Sequence, residues 1–141
     1  MLIQECSMTD EIFEWVEPET EKHVFFNASK LYEVGVACIL NDIVNIYLVE
    51  WRNILMDREF VSKFPEMRGI DVEKAKNLPE YVLKIPSVAL EMDDGSVLMV
   101  DGHHRIYHLY LENKESYPVL FFPLGQWEWS IVEFPEEFKA I

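Results

Sequence analysis

Apolar residues along this chain come in short bursts separated by charged or Gly/Pro punctuation. The clearest bursts are Ser87–Met92 and Ser96–Val100, two β-rich runs parted by Asp93-Asp94-Gly95, the signal of a hairpin. Directly after them stands Asp101-Gly102-His103-His104-Arg105. Ile106, Leu109 and Tyr110 then fall at i, i+3, i+4, one face of a helix closing at Glu112–Lys114. Tyr117–Phe122 predicts a buried strand, and Trp127–Phe134, alternating weakly, a final one.

Upstream, Val44, Ile46 and Leu48 alternate with Asn45, Tyr47 and Val49 and predict a strand ending near Glu50–Trp51. Asp57 is placed to cap a helix whose Phe60, Val61 and Phe64 share a face, with Glu59 and Lys63 at i,i+4 and Pro65 ending it. Asp71 to about Asn77 predicts a second short helix, and Pro79 starts a further turn through Val82. Near the start, Ile12–Val16 and His23–Phe26 flank an acidic Pro-containing spacer and predict two strands joined by a turn. Ala28–Leu40 fits either a helix containing Gly35 or another strand pair, and periodicity does not decide between them.

These elements give an α+β chain organised as a single domain over residues 1–141, a small mixed sheet flanked by short helices. A chain of 141 residues is about one domain's worth and can bury roughly two-thirds of its unfolded surface. Half of the residues are hydrophobic and 13% aromatic, which excludes a disordered chain. The longest apolar stretches, Val34–Leu40 and Val119–Leu124, fall far short of the ~20 residues of a membrane span. Met1–Asp10 has neither the basic start nor the apolar run of a secretory signal. Cys6 and Cys38 supply no metal spacing and no disulfide framework, and they read as small buried hydrophobes. A cytoplasmic protein without a membrane segment is the expectation.

Charge narrows the function classes. Twelve basic against 26 acidic residues leave −14, and the first 50 residues balance their acids with Lys22 and Lys30 alone. Binding to a phosphate backbone depends on Lys and Arg displacing counterions, so non-specific DNA binding is disfavoured. A small nucleotide escapes that objection, because one helix mouth and one or two Arg residues suffice for it.

The loop after Val100 has that chemistry. A strand, a Gly turn and a helix start bring unpartnered first-turn N–H groups and the positive end of the helix dipole to one place. Gly102 gives the backbone freedom for close approach, and Arg105 adds a permanently charged fork matched to phosphate oxygens. Asp101 could hold Mg²⁺, which takes one or two carboxylates plus phosphate oxygens. His103 and His104 could hydrogen-bond phosphate or shuttle a proton. The same residues also suit an ordinary turn, with Asp101 as a cap and Arg105 in a surface ion pair. His104 and His108 stand at i,i+4, as metal ligands can, without an evident third ligand. Trp127 and Trp129 suit a core or a partner face.

The run Val97-Leu-Met-Val-Asp-Gly-His-His-Arg-Ile106, with Tyr117–Phe121 a helix length later, resembles the core of the ParB/sulfiredoxin superfamily. Leu78–Val82 and Ile85–Val88 sit where that family has a short helix leading into its first core strand. The likeness covers about residues 44–122. By resemblance to ParB-type proteins, Gly102 and Arg105 would bind nucleotide phosphates, while the 36 residues after Arg105 leave no room for a helix-turn-helix. By resemblance to sulfiredoxin, the nucleophilic Cys would fall on His103, so sulfinic-acid reduction is not expected. ADP-dependent free serine kinases share the Asp-Gly-His-His-Arg loop. That likeness implies metal or phosphate binding by Asp101, phosphate contacts from His103, His104 and Arg105, and a catalytic Glu upstream, with Glu50 and Glu59 as candidates.

The leading expectation is therefore nucleotide binding (ADP, ATP or CTP with Mg²⁺) at Asp101–Arg105, with phosphoryl transfer or hydrolysis as the chemistry. One alternative is a non-enzymatic acidic protein whose Glu11, Glu14, Glu17, Glu19 and Glu21 face a basic partner. Another is a ParB-like nuclease using a basic patch of Arg52, Arg58, Lys63 and Arg68.

Overall fold

The computed structural model of the chain describes residues 10–40 and 47–133. Strand β1 (Ile12–Val16) turns back antiparallel to β2 (His23–Asn27) around Pro18, with the Glu17 N–H donating to the Lys22 carbonyl at 2.9 Å. β2 then runs without a loop into α1 (Ala28–Leu40). Local caps make that switch: Asn27 Oδ1 accepts the Lys30 N–H at 3.0 Å, and the Glu11 carbonyl accepts the Ala28 N–H at 2.9 Å. Gly35 inside the helix is a packing choice, since a Cβ there would lie 3.0 Å from Leu120 Cδ1.

The main sheet has four strands. β3 (Glu50–Leu55) is followed by four short helices, α2 (Arg58–Ser62), α3 (Phe64–Arg68), α4 (Val72–Lys76) and α5 (Glu80–Leu83). Hairpin strands β4 (Ser87–Glu91) and β5 (Val97–Asp101) come next, and α6 (His103–Leu111) carries the chain back to β6 (Ser116–Phe122). The strand order is β3-β6-β4-β5, with β4 and β6 parallel and the other pairs antiparallel, a mixed sheet as expected. The α2 and α4 caps follow local chemistry. Asp57 accepts the Glu59 N–H at 2.9 Å and Asp71 the Lys74 N–H at 3.1 Å.

Alternation along β6 divides the core in two. Tyr117, Val119 and Phe121 join Val61, Phe64, Ala75 and Ile106 under the short helices. Leu120 and Phe122 join Phe26, Leu31, Val88, Leu90 and Trp127 under α1 and the β1–β2 pair, which belongs to a second, smaller sheet. Each fully buried Leu or Phe contributes ~1.5–3 kcal/mol, so both faces of the sheet hold the fold.

Three expectations change. Pro65 does not end a helix but lies in the first turn of α3, where its missing N–H has no helical partner to lose; the break falls at Lys63. In place of a strand from Trp127, a 3-10 turn (Glu128–Ser130) leads into a two-residue strand, β7 (Ile131–Val132), beside β2. Trp127 is buried there and its Nε1 donates to the Glu91 carbonyl at 2.8 Å, which holds the chain out of a ladder. The strand expected to stop near Trp51 starts at Glu50 and continues to Leu55, because β6 offers a paired register through Ser116. Val44, Ile46, Cys6 and Phe134 lie outside the described residues. Cys38 is buried, and no described helix is long and apolar enough to cross a membrane.

Candidate functional site

The junction of β5 and α6 is shaped by Gly102. Its φ of 89° is one that L side chains rarely adopt, and a Cβ there would fall 2.1 Å from Ser87 Oγ and 2.7 Å from Ser87 Cβ. The Ser87 hydroxyl donates to the Gly102 carbonyl at 3.2 Å. Glycine therefore serves the close docking of the α6 start against β4, a role beyond the ligand approach inferred from its position. No side chain caps the first turn of α6, so its N–H groups keep the unfilled donors of a helix start.

Arg105 reaches back over this turn. Its Nη2 donates to the Pro86 carbonyl at 3.2 Å and lies 3.4 Å from Asp101 Oδ2. Burial pushes the Asp101 carboxyl up from the usual carboxylate range, and the nearby Glu11 charge adds to this; Arg105 opposes both without cancelling them.

His103 and His104 have different surroundings. The His103 ring stacks on Phe13 (centroids 5.7 Å apart) and meets Phe64 edge-on at 5.2 Å. Burial, assisted by Arg68, His104 and Arg105, pulls its pKa down to about 3. A ring with so low a pKa is a weak base near pH 7, which leaves hydrogen bonding as the role suited to His103. His104 Nε2 accepts the Asp71 N–H at 3.3 Å, fixing the start of α4, and burial followed by Lys74 lowers its pKa.

Around this corner lies a cleft of about 500 Å³, whose lining brings Asp101, Gly102, His103, His104 and Arg105 together with Glu11, Arg68 and Lys74. The Arg68 guanidinium sits over the Phe13 ring at 5.1 Å. Three buried nitrogens of these lining residues have no hydrogen-bond partner: Arg68 Nε, His103 Nε2 and Arg105 Nε. Buried polar atoms are normally satisfied, and three of the four left without a hydrogen bond among the described residues gather at this cleft, the other being Glu50 Oε2.

Glu50 and Glu59 are not among the lining residues. Glu50 opens β3 and pairs with Arg52 at 2.5 Å, and Glu59 is exposed on α2 beside Lys63 at 3.8 Å. The carboxylate the fold brings to the cleft is instead Glu11, from just before β1. The four-residue basic patch is dispersed. Arg52 covers the Phe121 ring, Arg58 covers Tyr110 and donates to the Tyr110 and Lys114 carbonyls, Lys63 pairs with Glu59, and Arg68 alone reaches the cleft. The His104/His108 spacing belongs to helix docking: His108 Nδ1 meets the Ala75 carbonyl at 2.7 Å and Nε2 meets Glu112 at 2.9 Å. Among the described residues no cluster of three or more His, Cys, Asp or Glu is placed to hold a metal.

Phe13 and Lys74 escape a sequence reading, and Glu11 and Arg68 enter it only in other roles, because the meeting of all four is tertiary. The available signal was the concentration of seven bases in residues 51–100 of an acidic chain. No protein-family model, no curated protein and no solved structure matches this chain.

Proposed function

We propose that this protein binds the phosphate of a small molecule in the cleft at Asp101–Arg105, with a Mg²⁺-bearing nucleotide (ADP, ATP or CTP) as the version the sequence resemblance implies. One observation carries it. A chain with net charge −14 gathers Arg68, Lys74 and Arg105 around a single cleft at the uncapped start of α6. Cations so placed, with oriented N–H groups, are the requirements of a phosphate site.

In this site Arg105 and Lys74 neutralise phosphate oxygens while the first-turn N–H groups of α6 orient them. Arg105 is held from behind by the Pro86 carbonyl, so little side-chain entropy is lost on binding. Asp101 and Glu11 match the one or two carboxylates that Mg²⁺ takes beside phosphate oxygens. The ion, when bound, would neutralise charge on a transferred phosphoryl group. For transfer or hydrolysis, Glu11 is the exposed carboxylate at the cleft suited to accept a proton from the nucleophile. The strand-loop-helix-strand run from β4 to β6 is, in this proposal, a ParB/sulfiredoxin-like core in a cytoplasmic protein.

A thermal-shift panel of inorganic phosphate, ADP, ATP and CTP, each with and without Mg²⁺, tests it. A ligand at 100 times its dissociation constant stabilises the folded state by ~2.7 kcal/mol, a readily measured shift. No shift across the panel removes the proposal and shifts attention to the exposed acidic turn around Glu19 as a surface for a basic partner.

A further inference from the structure

A phosphate group occupies only a corner of a 500 Å³ cleft, so the rest of the lining selects what the phosphate is attached to. That remainder is aliphatic. Ile12, Ile70, Leu78, Val82 and Val100 all line it, contributed by β1, the α3–α4 and α4–α5 links, α5 and β5. Three of them, Ile12, Leu78 and Val82, are half-buried and belong to neither core cluster. α5 itself contributes no buried residue. Apolar side chains that face a cleft rather than the core are stabilised when a ligand removes them from water.

The aromatic part of the lining is already engaged. Phe13 carries both the stacked His103 ring and the Arg68 guanidinium. A nucleobase entering the cleft would find no free Phe, Tyr or Trp ring among the lining residues to stack on, the contact that most favours planar bases.

Resting on the phosphate reading above but replacing its nucleotide version, we infer that the ligand is a phosphate monoester with a short aliphatic body, which lies against Leu78, Val82 and Ile12. The phosphate end meets Arg68, Lys74, Arg105 and the α6 start. Specificity for the body resides in α5 and its lead-in.

Calorimetric titration of the full chain with inorganic phosphate, n-propyl phosphate, n-pentyl phosphate and ADP tests this. Affinity should rise by up to about fourfold for each methylene buried, and pentyl phosphate should bind more tightly than ADP. The double variant Leu78→Asn/Val82→Thr should flatten that rise while binding inorganic phosphate like the parent, which also shows that it is folded. If inorganic phosphate binds and the alkyl chain adds nothing, the inference fails and the phosphate site stands. If ADP binds more tightly than every alkyl phosphate, the inference again fails and the body is a nucleoside. Absence of binding by all four ligands overturns both.

Discussion

Asp101 and Arg105 face each other across the first turn of α6 at 3.4 Å, while the same guanidinium nitrogen donates to the Pro86 carbonyl at 3.2 Å. The contact to the carboxylate is long, and Arg105 Nε is left without a partner. The guanidinium is thus steadied but not used up. A phosphate can recruit it without first breaking a short bidentate ion pair.

Arg105→Ala should weaken phosphate binding by ~1.5–3 kcal/mol, the range for a hydrogen bond to a charged group. Arg105→Lys should recover only part of that, because an ammonium lacks the planar fork. Calorimetry with inorganic phosphate reads both. Parental affinity in Arg105→Ala would remove this residue from the site.

Gly102→Ala should destabilise the fold for two separable reasons. A non-glycine residue at φ 89° costs roughly 1–3 kcal/mol in backbone strain, and the new Cβ meets Ser87 Oγ at 2.1 Å and Ser87 Cβ at 2.7 Å. Ser87→Gly removes two of the three nearest contacts, and the third is the movable end of Arg105 at 2.8 Å. In urea unfolding, the Ser87→Gly/Gly102→Ala pair should lose less than the sum of its single variants by about 0.5–3 kcal/mol. Additive losses would mean that strain, not crowding, excludes a side chain there.

The parts of this fold legible in the sequence are those decided by neighbours along the chain. Asp57 and Asp71 cap, Asp93-Asp94-Gly95 turns, and the period of α6 shows in Ile106, Leu109 and Tyr110. The apolar residues of α1 suit strand and helix equally; the Asn27 side chain and the Glu11 carbonyl settle it through hydrogen bonds. Trp127 leaves the expected strand because its indole finds a carbonyl in β4. The candidate site divides in the same way. Asp101 to Arg105 are contiguous and visible, whereas Glu11, Arg68 and Lys74 arrive from separate elements. The resemblance points to Glu50 and Glu59, and the chain leads both away from the cleft.

Asp101 should give stability an unusual pH dependence. Its folded pKa is raised above the unfolded carboxylate value of ~3.9, mainly by burial. The folded state thus holds the proton more tightly than the unfolded state. This contribution is fully present below the unfolded pKa and is lost as pH rises through the raised folded one, with a limiting slope of ~1.4 kcal/mol per unit. Asp101→Asn should remove that fall and be favoured relative to the parent near neutrality. Urea unfolding of both proteins from pH 4 to 7 checks it, and parallel curves would show that Asp101 ionises in the fold without cost.

His103 should act with the opposite sign. Its pKa is depressed to about 3 from an ordinary ~6.5, so the unfolded chain takes up a proton that the folded chain refuses. Stability is fully present above pH ~6.5 and falls as pH drops toward 3, again by at most ~1.4 kcal/mol per unit. His103→Phe keeps a ring for Phe13 and Phe64 to pack on and removes the titration. Its unfolding curve should therefore be flatter than the parent's between pH 6 and 4. A directly observed imidazolium in folded parent protein at pH 5, by NMR of the ring, would contradict the burial described here.

The three glutamates offered by the chain separate the geometry from the resemblance. Glu11 shares the cleft with Asp101 and adds to the charge that Asp101 feels, while Glu50 and Glu59 are engaged with Arg52 and Lys63 elsewhere. Without Mg²⁺, a carboxylate beside an anion site repels the anion. Glu11→Gln should therefore bind metal-free inorganic phosphate a few-fold more tightly than the parent, and any gain in affinity from Mg²⁺ should shrink in the same variant. Glu50→Gln and Glu59→Gln should leave both measurements at parental values. If instead Glu50→Gln or Glu59→Gln alters phosphate affinity and Glu11→Gln does not, the anion lies against β3 or α2, and the cleft at the start of α6 is not the binding site.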